Sequence, residues 1–366
     1  MAGTVLAITS NPSNITGMTC LENRPVFFLK LNGSLVTNLV VKGEGDGVAA
    51  LGAHAETSIK WGAKLMKHVN STDVNTKIMT AAEVLAFKTA GLLLIPLGMA
   101  RPRLNLAIPG PPYTWTKMPF VDGMSSAEFW NDALGDNGNW DAKPAKTNIV
   151  KMSDDAFWTD LGKVVAVDIF NGNADRFDIK SGFWQNKGNI MFLPAGQTVV
   201  IGLDTFDPNA RGLHDLRSPL DFTNMQTRIE FQHLLFLTDA GERLKFAKAC
   251  VTSVGTELKK AFKNRNFVTL RTQGPQGPVD VQIEVAKMDT LFADYAPTFA
   301  EGIAAGAIQL KANLLGKVRK YKPVVPWQRP VPRGANPGYQ PPQAIPVPGK
   351  TIPQGILDRM AYLKWA

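Results

Sequence analysis

Hydrophobic patterning changes character along this chain, and that change constrains the fold more than any other feature. Up to about residue 120 the apolar residues fall mostly in short β-branched and aromatic runs. Beyond Asp221 they recur at helical spacing almost to Arg319. Thr4–Thr9 reads as a strand, and Asn11–Arg24, with Gly17 inside it, reads as irregular. Pro25–Leu31 and Leu35–Lys42 read as strands joined by Asn32-Gly33, a hairpin signal. A glycine-rich turn, Gly43–Gly47, precedes an expected helix over Val48–Val69. Further strands are expected at Arg103–Ile108 and Tyr113–Phe120, and helices at Ser125–Leu134 and Ser153–Asp168. Ile190–Leu193 and Val199–Leu203 form a hairpin-like pair. A β-rich part followed by a helix-rich part implies an α+β protein in two lobes. The length of 366 residues suits one large two-lobed domain or two ordinary ones.

The net charge of +9 has one address. Between Gly302 and Leu357 there are eight basic residues and no acidic ones, whereas residues 1–301 carry 30 of each sign. A general nucleic-acid surface would spread its basic residues over the folded body, so the balance argues against a nucleic-acid partner. Ten of the 25 prolines lie between Pro323 and Pro353, which favours extended geometry and excludes a regular helix there. The expectation is a solvated, strap-like extension over 322–366 that is able to recruit a partner, with Gln354–Trp365 as a terminal helix. The longest apolar run, Ala90–Ala100, is broken by Gly91, Pro96 and Gly98 and is too short to span a bilayer. Met1–Ser10 lacks a basic n-region, so the expected location is the cytoplasm, or export without a classical signal peptide. Two cysteines and four scattered histidines exclude a disulfide framework and a Cys/His metal centre, and leave open a metal held by Asp and Asn oxygens.

Two stretches bear on phosphate chemistry and fall short. Gly349-Lys350-Thr351 imitates the end of a P-loop, but Ala344 stands where the first glycine belongs. Gly45-Asp46-Gly47-Val48-Ala49-Ala50 fits a dinucleotide-binding turn, yet the segment after the helix, Asn70–Asn75, is not an apolar strand ending in an acid. It reads instead as a flexible strand-to-helix connection.

A third stretch carries more. An apolar helix runs into a polar loop holding Asp168, Asn171, Asn173, Asp175 and Arg176. Asn189 then opens one short strand, and Asp204 follows the next, Val199–Leu203. Phosphoryl transfer needs such parts: one carboxylate to take the proton of the attacking hydroxyl, and an amide oxygen with a second carboxylate to hold magnesium on the phosphates. Positioning and charge neutralisation supply most of the remaining catalysis. Taken singly, Asp175-Arg176 is an ordinary surface pair, Asn189 a turn residue and Lys42 a solvated strand end. Their order on these elements points to phosphotransfer.

That order resembles the catalytic segment of atypical protein kinases, the actin-fragmin kinase family in particular and, more distantly, phosphatidylinositol 3/4-kinase-like enzymes. The resemblance covers roughly residues 15–210. It implies a protein-kinase-like two-lobed α+β fold, with a β-rich N-lobe over 1–123, a helical C-lobe over 124–321 and the Pro-rich tail beyond. It implies ATP and Mg2+ as cofactors and Ser/Thr of a protein as substrate. Lys42 would bind the ATP phosphates, paired with Glu56. Gly17 would open the nucleotide loop Gly17–Arg24, and Phe120 and Val121 would lie in the strand and hinge against adenine. Asp175 would be the catalytic base with Arg176 supporting it, and Asn189 and Asp204 would hold magnesium. The interval from Asp175 to Asn189 is longer than in the ordinary kinase loop, which leaves Asn171 or Asn173 as alternative ligands. Phe177 stands where related kinases often have His, and Asp204-Thr205-Phe206 is not followed by glycine. The alternative functions are a small-molecule or lipid-head-group kinase, and an inactive pseudokinase scaffold acting through its tail.

Overall fold

A computed structural model describes residues 15–20, 26–44, 59–69, 75–89, 114–126, 128, 149–186, 188–193, 200–203, 220–320 and 352–365. The architecture is mixed α+β. Five short strands, β1 (Ile15–Cys20), β2 (Val26–Leu31), β3 (Leu39–Glu44), β4 (Lys77–Ile78) and β5 (Thr114–Pro119), form one antiparallel sheet in the order β1-β2-β3-β5-β4. Strict alternation in β2 puts Phe27, Leu29 and Leu31 on the buried face, where they meet Leu39, Val41 and Trp115. Helix α1 covers residues 59–65 and tightens into a 3-10 turn at Met66–His68. Helix α2 (Ala81–Thr89) opens with a capping box: the Glu83 N–H donates to Thr80 Oγ1, and the Thr80 N–H to Glu83 Oε2. The other Glu83 oxygen accepts from Lys117 Nζ at 2.8 Å, so a buried ion pair ties α2 to β5.

Residues 120–123 lead from this sheet into β6 (Met124–Ser125), the first strand of a three-stranded sheet with β7 (Ile190–Phe192) and β8 (Val200–Gly202), in the order β6-β7-β8. Behind it lies the main core, built round helix α3 (Asp155–Asn171). Asp154 caps α3 through the Ala156 N–H, and Gly172 ends it in the left-handed conformation. Its Trp158, Leu161, Val164, Val165 and Phe170 are buried on several sides, as expected of a helix enclosed by other elements. Short helix α4 (Met225–Glu230), helix α5 (Ala240–Ala261), the hairpin of β9 (Phe267–Gly274) and β10 (Gly277–Glu284), helix α6 (Ala296–Lys320) and helix α7 (Gln354–Tyr362) complete the described elements.

Helices α3 and α6 cross closely because both are pared to glycine at the crossing. A Cβ on Gly302 would sit 2.5 Å from the Thr159 carbonyl oxygen and 2.9 Å from its Cα. Backbone atoms cannot swing aside as a side-chain end can. Gly302→Ala therefore costs about 1–3 kcal/mol through overpacking, against the gain in helix propensity; a denaturation midpoint at or above that of the wild type would contradict this.

The structure revises several expectations. Asn11–Arg24 is not irregular throughout: Ile15–Cys20 pairs with β2, and Gly17 lies inside β1 opposite Lys30 rather than in a loop. The strand expected from Leu35 begins at Leu39, because the turn at Asn32 (φ 53°) and Gly33 (φ 76°) is followed by exposed Leu35 and Val36. Helix α3 continues to Asn171, three residues beyond the expected end, so Asp168 lies within the helix. The region after Asp221 is mostly helical, as expected, and the unexpected part is the β9–β10 hairpin around Pro275-Gln276. The extension expected over 322–366 does not reach the C-terminus as a solvated strap: Ile356, Met360, Leu363 and Trp365 are in the main core. Thr4–Thr9, Arg103–Ile108, Val48–Thr57 and most of Ser125–Leu134 lie outside the described residues.

Candidate functional site

The stretch after α3 is organised by a buried arginine. Arg176 has no exposed surface, and each nitrogen of its guanidinium has a separate acceptor. Nε donates to the Asn189 carbonyl at 3.1 Å, Nη2 to the Leu203 carbonyl at 2.5 Å, and Nη1 to Asp168 Oδ2. One side chain thus joins the last turn of α3, the start of β7 and the residue after β8. Asp168 is 2% exposed, and its other oxygen accepts from Asn173 Nδ2 at 3.4 Å. Burial pushes the Asp168 carboxyl up to about 6, while the adjacent Arg176 pulls it down.

Asp175 is held differently. Its backbone N–H donates to Asn173 Oδ1 at 2.9 Å, which fixes an Asx turn immediately after the helix. Its side chain is exposed, and Oδ2 accepts from Asn189 Nδ2 at 2.9 Å and Asn186 Nδ2 at 3.2 Å. The carboxylate is therefore positioned by two neutral amides while its guanidinium neighbour points inward. An oriented, solvent-facing carboxylate held by neutral amides suits proton acceptance from a hydroxyl.

The next residues complete the frame. Phe177 is 2% exposed and packs on Trp184 and Phe299, which anchors the loop to α6. The Asp178 carboxylate accepts from the Lys180 and Ser181 N–H groups and the Ser181 hydroxyl, so it serves a tight turn. The Leu203 N–H donates to the Asn189 carbonyl at 3.0 Å, which brings the residue before Asp204 to the same point.

The structure brings together Asp175, Arg176 and Asn189, with Asn171 and Asn173 beside them at the α3 terminus. It places Lys42 on β3, between Val26 and Thr116, on the face opposite core residues Leu39 and Val41. Phe120 follows β5, donates its N–H to the Asn38 carbonyl at 3.0 Å and meets Phe28 edge to face; Val121 is half-buried next to it. Glu56 and Asp204 lie outside the described residues, as do residues 21–24 of the expected nucleotide loop. Asn186 and the Asp168–Arg176 pair are additions to the sequence reading. The donors to the Asp168 carboxylate are both side chains, Arg176 and Asn173.

Among the described residues no group of three or more His, Cys, Asp and Glu could hold a metal ion, and no helix is long and apolar enough to cross a membrane. A magnesium set of Asn189 and Asp204 would include only one such residue. Asn189 fits its share chemically, because it spends Nδ2 on Asp175 and keeps an amide oxygen for a hard cation. Comparison with protein-family models, with curated proteins and with solved structures finds no match.

Proposed function

We propose that this chain has a protein-kinase-like two-lobed fold and transfers the terminal phosphoryl group of ATP to a Ser or Thr hydroxyl of a protein. The observation that carries the reading is the exposed Asp175 carboxylate, held by Asn186 and Asn189. The sheet order β1-β2-β3-β5-β4 and the short passage at 120–123 into a second sheet support the division into an N-lobe over 1–123 and a C-lobe from 124. In this reading Asp175 orients the substrate hydroxyl and takes its proton as the bond to phosphorus forms. Arg176 keeps the Asn189 and Leu203 carbonyls in register, which fixes where the side chains of Asn189 and Asp204 begin. Those two residues would hold magnesium, which supplies charge neutralisation on the phosphates. Lys42, paired with Glu56, neutralises the ATP phosphates, and Phe120 and Val121 contact the adenine.

The test is incubation with ATP, magnesium and a panel of proteins, followed by mass spectrometry for added phosphate. Lys42→Met keeps bulk and removes the charge. It should lower transfer at least about tenfold while the melting temperature hardly moves. A fully active Lys42→Met protein would remove the lysine from the nucleotide site.

A further inference from the structure

Residues 204–219 lie between two described points, Leu203 and Leu220, and both points are tied to the last turn of α3. The first tie is Arg176, which donates to the Leu203 carbonyl and to Asp168. The second runs through α7. The Leu220 N–H donates to Asp358 Oδ2 at 2.6 Å, and Tyr362 stacks on Phe222 with centroids 4.4 Å apart. Arg359 lies over the Phe231 ring at 5.0 Å. Three residues past the C-terminal end of α7, Trp365 stacks on Phe170 with centroids 5.7 Å apart and interplanar angle 2°. Phe170 is two residues beyond Asp168. The C-terminal helix thus joins the exit of 204–219 to the helix that launches Asp175.

Nine residues are too few for a stable isolated helix in water, since nucleation outweighs propagation at that length. α7 is therefore helical only when its apolar face is docked, and docking and folding of this segment are one equilibrium. Leu220 has its Asp358 acceptor, and Phe170 its Trp365 partner, only in the docked state.

We propose that α7 is an intramolecular activating element, whose docking sets the geometry of the Asp175 loop and of the segment from Leu220 to Phe231. The activity arm of this inference rests on the phosphotransfer reading; the docking arm does not. The experiment uses the full chain and three variants. Trp365→Ala and Asp358→Ala weaken the two ties separately. Leu270→Ala removes a fully buried side chain from β9, which makes none of the hydrogen bonds of the site. Amide hydrogen exchange, urea unfolding, and kcat and KM for ATP are measured on all four proteins. Both α7 variants should exchange about tenfold faster at 171–176 and 220–231. They should lose about tenfold or more in kcat with little change in KM. Leu270→Ala should lose at least as much stability and keep both the exchange pattern and kcat. Faster exchange confined to α7, or an equal fall of kcat in Leu270→Ala, would overturn the inference. If even the wild type transfers no phosphate, the kinase reading fails and exchange at 171–176 alone decides the docking arm.

Discussion

On the proposed phosphotransfer reading, Asp175→Asn should lower phosphoryl transfer by roughly a hundredfold or more and leave ATP affinity nearly unchanged. The substitution is close to isosteric. An amide oxygen at position 175 can still accept from Asn186 and Asn189, so the loop keeps its hydrogen bonds. What disappears is the ability to take a proton as the hydroxyl attacks. That ability matters in the transition state and little in the ground state, so the effect falls on kcat. The neighbouring carboxylates provide the comparison. Asp178→Asn keeps an acceptor for the turn at Lys180–Ser181, and its activity should stay within a few-fold of wild type. Steady-state kinetics with ATP titrated on each variant would check this. A near-normal Asp175→Asn beside an inactive Asp178→Asn would mean that the wrong carboxylate has been assigned.

Much of the candidate site's layout was legible because its residues are local in sequence. Asp175-Arg176 follows directly from an apolar helix, and the hairpin at Ile190 and Val200 announces itself by its β-branched runs. The Asn32-Gly33 turn was legible for the same reason, since two consecutive positive φ angles demand those residue types. Other features depend on distant partners. The ion pair of Lys117 with Glu83 spans 34 residues, and neither residue has a spacing that reveals the other. The β9–β10 hairpin was missed because its β10 strand is largely exposed and offers no buried alternation. The sequence placed Asp168 at the end of the expected helix. Its role as counter-ion to Arg176 became visible only when α3 extended a further turn and the arginine folded beneath it. The terminal helix was legible as a helix, but its docking on Phe170 and Phe222 was not, because amphipathicity names a face and not the surface it meets.

Arg176→Met should be the most destabilising change in the site. Methionine fills much of the space and supplies no donor. The carbonyls of Asn189 and Leu203 each lose a partner, and Asp168 keeps only the Asn173 amide within a buried setting. Removing one partner of a buried ion pair costs about 3–5 kcal/mol, because the remaining charge is uncompensated. That is a large share of the roughly 5–15 kcal/mol that holds a folded domain together. The dependence on pH identifies the cause. In the wild type the Asp168 carboxyl is already pushed up to about 6 by burial. A carboxyl whose folded pKa lies above its unfolded value binds more protons when folded. Its contribution to stability is present below the unfolded value and is lost as pH rises through the folded one. Without Arg176 the folded value moves higher still, because the downward pull is gone. Above it Asp168 is a bare buried charge; below it Asp168 is a neutral acid of modest cost. The stability gap between wild type and Arg176→Met should therefore be widest near pH 8 and should narrow as pH falls to about 5. Urea unfolding at several pH values measures the gap directly. Adding Asp168→Leu to Arg176→Met should recover part of the loss at neutral pH and flatten its pH dependence. A gap that stays constant or grows on acidification would show that the lost carbonyl hydrogen bonds, and not the stranded carboxylate, dominate the cost.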